Sequence, residues 1–351
     1  YFYTSYDGGR TWNETGSVAL DDGLVFLHRD RLYLLCNRPG RGDIAVTASD
    51  DEGATWREPV TLFAGRFWNT FTPHAVRGDT LYWALGAPNA GGNFNRTGSR
   101  IVVVAGDLAA DDLLDRSRWR ISPYLAYPGT PAGLSAGLRD DVAQGEVYPA
   151  DGDDLTASFP GRPPDHGDHW LEPNVVNVNG RIRVFVRLRI DRQTTAHLCA
   201  VCDVADDGEE LELRFNQFHP LPGNCYFHII RDELNGYFWA ATSLPTRTQD
   251  LEWGREMAAR GLLKGRAGNE RRFLMLMYSL DALNWFPAGC IAMWPSPGQG
   301  FQYNALLVDG DDLLVSSRTA KNAPNQHDND LVTIHRVRDF RSLALNLHPV
   351  V

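Results

Sequence analysis

Two near-identical turns constrain this chain most. Ser5-Tyr6-Asp7-Gly8-Gly9-Arg10-Thr11-Trp12 and Ser49-Asp50-Asp51-Glu52-Gly53-Ala54-Thr55-Trp56 both fit S-x-D-x-G-x-T-W and lie 44 residues apart. A degenerate third copy, Ser279-Leu280-Asp281-Ala282-Leu283-Asn284-Trp285, keeps Ser, Asp and Trp. The pattern reads as a corner between two strands. Ser and Asp side chains accept hydrogen bonds from backbone N–H groups inside the turn. Gly adopts positive φ at low cost, and the Trp ring buries between neighbouring strands.

A longer repeat sets the phase of these corners. Five segments read as strand, tight turn, strand: Gly23–Arg38, Pro73–Ala87, Pro173–Arg189, Tyr226–Ser243 and Gln302–Arg318. Turns such as Asn179-Gly180, Asn235-Gly236 and Gly310-Asp311-Asp312 sit between apolar runs, which is a hairpin signature. A third apolar run follows each hairpin, at Ile44–Thr47, Ile101–Ala105, His197–Val204, Phe273–Tyr278 and Leu331–Val337. A short fourth strand usually closes the unit. Repeating four-stranded antiparallel units predict an all-β chain folded as a single β-propeller domain over residues 1–351. Residues 1–18 supply only the outer half of a further blade. Either five units plus this fragment close the ring, or a sixth blade has its inner half before Tyr1; six blades are favoured, the first incomplete at its N-terminus, with residues 127–168 as a long insertion between blades. A β-sandwich is the competing fold.

Composition narrows the partners. The 351 residues carry a formal net charge of −10 and no basic run, so the field disfavours nucleic acid. No window of about 18 apolar residues suggests a membrane span. The only extended helical pattern is short, around Asp250–Leu263. Cys199-Ala-Val-Cys202 lies in an apolar strand, where i and i+3 face opposite ways. Buried thiols are the reading there, and no metal or cofactor motif appears. The acidic run Asp203–Glu212 reads as an exposed turn. The compartment stays open, with a secreted or periplasmic one favoured.

The S-x-D-x-G-x-T-W corners resemble the Asp-box, or BNR, repeats of the sialidase superfamily. That resemblance implies a six-bladed propeller and a carbohydrate-active enzyme. Glu172-Pro173-Asn174, leading through a hairpin to Arg187 and Arg189, is similar to the sialidase segment in which a strand-start Glu precedes a strand-end Arg. Phe301-Gln302-Tyr303-Asn304 is similar to the segment carrying the nucleophilic Tyr. The resemblance implies that Tyr303 attacks the anomeric carbon while Glu172 takes its proton. A neutral nucleophile avoids repulsion from an anionic substrate, the Tyr exception to two-carboxylate glycosidases. Leu20-Asp21-Asp22-Gly23 holds no arginine where sialidases carry one, which points to an acidic sugar other than sialic acid.

The repeat phase gives its own geometric expectation. Starts of first strands, ends of second strands and the loops from second to third strands share one end of the propeller. The Asp corners lie at the other end. Residues at the first end include His74, Glu172, Asn174, His228, Tyr303 and Asn304 at strand starts. Arg38, Arg187, Arg189 and Arg318 end second strands, and Asp43, Arg271, His327 and Asp328 occupy loops. Arginine is concentrated here within an acidic chain, and it suits bidentate anion recognition. The expected catalytic set is Tyr303 and Glu172, with His74 or Asp43 as acid. Arg38, Arg187, Arg189, Arg318, Asn174, His228, His327 and Asp328 would bind an acidic oligosaccharide or polysaccharide. An exo-acting glycoside hydrolase leads. A polysaccharide lyase and a non-catalytic glycan-binding propeller stay open, and Tyr303 reads equally well as a core aromatic.

Overall fold

The computed structural model describes residues 1–69, 71–95, 98–129, 169–190, 193–221, 223, 226–247, 250–264 and 269–344. The greater part of the expected insertion at 127–168 lies outside them. The described residues form five successive antiparallel sheets and one two-stranded ribbon.

The ribbon pairs β1 (Phe2–Thr4) with β2 (Asn13–Gly16). Blade one is β3 (Asp21–His28), β4 (Arg31–Asn37), β5 (Ile44–Ser49) and β6 (Val60–Phe63). Blade two is β7 (Ala75–Arg77), β8 (Thr80–Ala87), β9 (Arg100–Asp107), and β10 (Trp119–Ile121) with β11 (Leu125–Ala126), both paired to β9. Blade three is β12 (His169–Val178), β13 (Arg181–Ile190), β14 (Gln193–Asp206) and β15 (Leu211–Pro220). Blade four is β16 (His228–Arg231), β17 (Phe238–Ser243), β18 (Phe273–Ser279) and β19 (Trp285–Met293). Blade five has three strands, β20 (Gly300–Asp309), β21 (Asp312–Ala320) and β22 (Leu331–Val337). A helix, α1 (Leu251–Ala259), is inserted between β17 and β18, capped by Asp250, whose carboxylate accepts from Trp253 N.

Five blades replace the six expected. Residues 1–18 supply two short strands that pair only with each other, and nothing in them can serve as the inner strands of a blade. Instead the ribbon lies between the fifth and first blades. Phe2 stacks on Trp56 of blade one at 4.5 Å, and Arg336 of β22 donates to Gly8 O at 3.2 Å.

Apolar alternation on each strand buries residues between adjacent blades. One core cluster joins blades two and three through Tyr82, Val103, Trp170 and Val184. Another joins blades one and two through Tyr33, Leu35, Trp83 and Val104. Cys199 and Cys202 fall in different clusters, as opposite strand faces require. Burial pushes the Cys202 thiol up to about 12 and raises Cys199 as well. First strands of neighbouring blades touch, β12 against β7 and β16, and β16 against β20. They line the axis.

The three Ser-Asp turns share one hydrogen-bond plan. Asp51 accepts from Thr55 N at 2.8 Å, and Ser49 Oγ accepts from Gly53 N at 2.8 Å. In the shorter third copy Asp281 accepts from Asn284 N at 2.7 Å, and Asn284 Nδ2 takes the place of the Thr hydroxyl. Ala282 stands where the other copies have Gly and adopts φ 61°. In each, the Trp indole donates to the carbonyl three residues back at 3.1 Å.

Candidate functional site

Three first strands break their ladders at corresponding places. β12 bulges between Leu171 and Pro173, β20 between Gln302 and Ala305, and β3 between Asp21 and Gly23. A bulge leaves one residue out of register and re-aims its side chain. The residues so placed are Glu172, Tyr303 with Asn304, and Asp22. Glu172 has φ 56° and Tyr303 φ 51°, the left-handed region that side chains other than Asn and Asp seldom enter. Such strain costs on the order of 1–3 kcal/mol and gathers at functional sites.

The two bulges of blades three and five bring Glu172 and Tyr303 together across 131 residues of chain. Tyr303 Oη donates to Glu172 Oε1 at 3.0 Å. Arg187 Nη1, from the end of β13, donates to Glu172 Oε2 at 2.7 Å. Glu172 is 2% exposed, so its charge is held by partners rather than by water. Burial raises the Tyr303 phenol well above its usual value, and the Glu172 carboxylate adds to the shift, while Arg187 and Arg271 oppose it. The phenol is neutral at physiological pH. Tyr226 packs its ring 5.2 Å from that of Tyr303 and donates its hydroxyl to Phe71 O at 2.7 Å.

A cationic group forms the other wall. The Arg318 guanidinium lies 5.2 Å over the Tyr303 ring, and its Nη2 donates to His327 O at 2.9 Å. Among the described residues its buried Nε has no hydrogen-bond partner. Arg271 reaches Gln302 Oε1 through Nη1 and Asn269 Oδ1 through Nε at 3.1 Å. Gln302 also donates to His327 O. Asp328 accepts from Lys264 Nζ at 3.0 Å and contacts His327 Nδ1 at 3.1 Å. Burial opposes ionisation of Asp328, yet hydrogen bonds from His327 and Lys264 hold it down to about 2. Burial, with Arg271, pushes His327 down to about 3, so it is a neutral ring.

Asp22 was not among the residues singled out from sequence. Its carboxyl is raised, chiefly by burial and then by Asp21, with Arg41 and Arg318 opposing. The residue remains exposed to solvent. Its carbonyl accepts from Asn69 Nδ2 at 3.0 Å.

The remaining expected residues take other places. Asn174 is fully buried beneath Glu172, and its Oδ1 accepts from Ile229 N at 3.3 Å. His228 Nδ1 accepts from Leu306 N at 3.3 Å, and burial followed by the neighbouring His74 pushes it down to about 3. His74 is lowered by burial and packs 5.6 Å from Phe26. Both histidines are neutral and belong to the axial packing. Arg38 turns outward, with Nη2 donating to Pro59 O at 2.7 Å. Asp43 accepts from Gly65 N at 2.8 Å and pins a loop. Arg189 sits at the end of β13, opposite His169. Asn304 is 0% exposed, and among the described residues neither polar atom of its amide finds a partner. Among the described residues no cluster of three or more His, Cys, Asp or Glu could hold a metal.

No family model and no curated protein matches the sequence. Solved structures do resemble it. An α-L-arabinofuranosidase from Lactobacillus brevis is 10% identical, with 91% of this chain and 90% of that one covered, at a TM-score of 0.49. The α-L-arabinanase of Cellvibrio cellulosa is 13% identical, with 92% of each covered, at 0.45. A mutant of Trypanosoma rangeli sialidase displaying trans-sialidase activity is 15% identical, with 96% of this chain and 56% of that one covered, at 0.36.

Proposed function

We propose that the pocket hydrolyses the glycosidic bond of an acidic sugar, with Tyr303 as nucleophile and Glu172 as its base. The observation that carries this reading is the 3.0 Å hydrogen bond from the half-buried Tyr303 hydroxyl to Glu172. A phenol with a raised pKa is inert unless a base stands within reach. Glu172 stands there, and Arg187 fixes its other oxygen.

As the Tyr303 oxygen bonds to the anomeric carbon, its proton passes to Glu172 Oε1. The glycosidic C–O bond breaks, and the leaving oxygen takes a proton from Asp22. Water then attacks the glycosyl-tyrosine and gives its proton to Asp22. Tyr303 leaves and recovers its own proton from Glu172. Asp22 is preferred as acid over His74 and Asp43. Burial keeps a proton on Asp22 to higher pH, whereas the His74 ring is neutral and Asp43 is engaged with a backbone N–H. The Arg318 guanidinium, stacked over the Tyr303 ring, supports a carboxylate or sulfate on the substrate.

The test is turnover of an acidic-glycan library by wild type and Tyr303→Phe. The variant should lose at least about a thousandfold in kcat, since a nucleophile and its base act as a unit. Equal turnover by both removes Tyr303 from the mechanism. Products absorbing as unsaturated uronates would replace hydrolysis by β-elimination.

A further inference from the structure

Asn69 and Phe71, in the connection from β6 to β7, form a ledge beside the bulges that carry Asp22 and Tyr303. Asn69 ties it to blade one through its bond to Asp22 O, and its Oδ1 accepts from Phe71 N at 2.8 Å. Phe71 is held at its other side by the Tyr226 hydroxyl, whose ring faces Tyr303. Phe71 itself has φ 59° and is 47% exposed. A bulky side chain in left-handed backbone is an outlier. Here two hydrogen bonds hold the strain, and they leave a large apolar ring accessible to water.

Along the same ledge, groups from three loops stack. Arg41 lies 4.5 Å over Trp68 and 5.2 Å over Phe94, and Arg66 lies 5.2 Å over Phe94. Arg41 and Arg66 are both exposed. Arg41 N donates to Asp21 Oδ2 at 3.2 Å, which ties the stack to the residue next to Asp22. A flat apolar ring and two oriented guanidinium groups match the two surfaces of an acidic sugar: a face of C–H bonds and an anionic edge.

We propose that this ledge is a second subsite, which binds the sugar unit adjoining the one cleaved in an acidic oligosaccharide. The inference rests on the carbohydrate reading of the Tyr303 pocket. Phe71 supplies the stacking face, and Arg41 and Arg66 supply the anion-binding edge.

The test is calorimetric binding to paired ligands: galacturonic acid and digalacturonic acid, glucuronic acid and a hyaluronan disaccharide, N-acetylneuraminic acid and sialyllactose. Wild type should bind at least one two-unit or longer ligand more tightly than its single sugar. Phe71→Gly should weaken that ligand on the order of tenfold, and so should the double variant Arg41→Gln/Arg66→Gln, each leaving single-sugar affinity within about twofold. Phe71→Gly should also melt no lower than wild type, because Gly accepts positive φ. Retained affinity for the longer ligand in either variant overturns the ledge. So does an equal loss for both ligands of a pair, or a lower melting point for Phe71→Gly. Failure of wild type to bind any of the six ligands overturns the carbohydrate reading itself.

Discussion

Arg187→Met tests how the base is held. The Glu172 side chain is 1% exposed and that of Arg187 13%, and their ion pair is 2.7 Å long. Removing one partner of a buried pair leaves an uncompensated charge, a loss of about 3–5 kcal/mol. With roughly 2 cal/mol/K of unfolding entropy per residue, a 351-residue chain falls about 1.4 °C per kcal/mol, so the variant should melt about 4–7 °C lower. Glu172→Gln in the same background removes the stranded charge. The double variant should return to within about 2 °C of wild type, since a neutral pair avoids most of the desolvation penalty. Thermal melts of the four proteins of this cycle, followed by near-UV circular dichroism, give the coupling. An Arg187→Met midpoint within about 1 °C of wild type refutes the reasoning. So does a double variant that loses the sum of the single losses, because the pair would then carry no mutual energy.

Two further outcomes follow from the site and the axis. Asp22→Asn should lower kcat/KM by about 10²–10⁴ on a glycan with an alcohol leaving group. On an aryl glycoside whose phenol leaves unprotonated the loss should be slight, and equal losses on both substrates would remove Asp22 as the acid. His228 is depressed by burial to about 3 from an ordinary value near 6.5. Its contribution to stability is therefore complete above about pH 6.5 and declines as pH falls towards 3. Chemical denaturation across that window should give a flatter pH slope for His228→Phe than for wild type, and parallel slopes would contradict the assignment.

Much of the architecture can be read from spacing alone. The hairpins centred on Asn179-Gly180 and Asn235-Gly236 follow from turn chemistry and from apolar runs on either side. The pairing of Glu172 with Tyr303 follows from their equivalent places in two such hairpins. Side-chain direction is less legible. Arg38 and Asp43 occupy the expected end of blade one, yet one turns to Pro59 and the other caps Gly65. Strict alternation cannot anticipate a bulge, and Asp22 owes its position to one. In sequence, Asp21-Asp22 is indistinguishable from a solvated acidic pair at a strand start. Residues 1–18 suggest a sixth blade because they carry a complete corner motif, yet they lack the inner strands that would make it one. A local turn signal says nothing about its partners in the sheet.

Tyr303 and Glu172 belong to blades five and three, with blade four as a wedge between them. The separation of Tyr303 and Glu172 is therefore a measure of ring curvature rather than of any single hairpin. If blade four slides outward, the Tyr303–Glu172 hydrogen bond lengthens while every sheet keeps its own ladder. Heating should part Tyr303 from Glu172 before the β-structure melts.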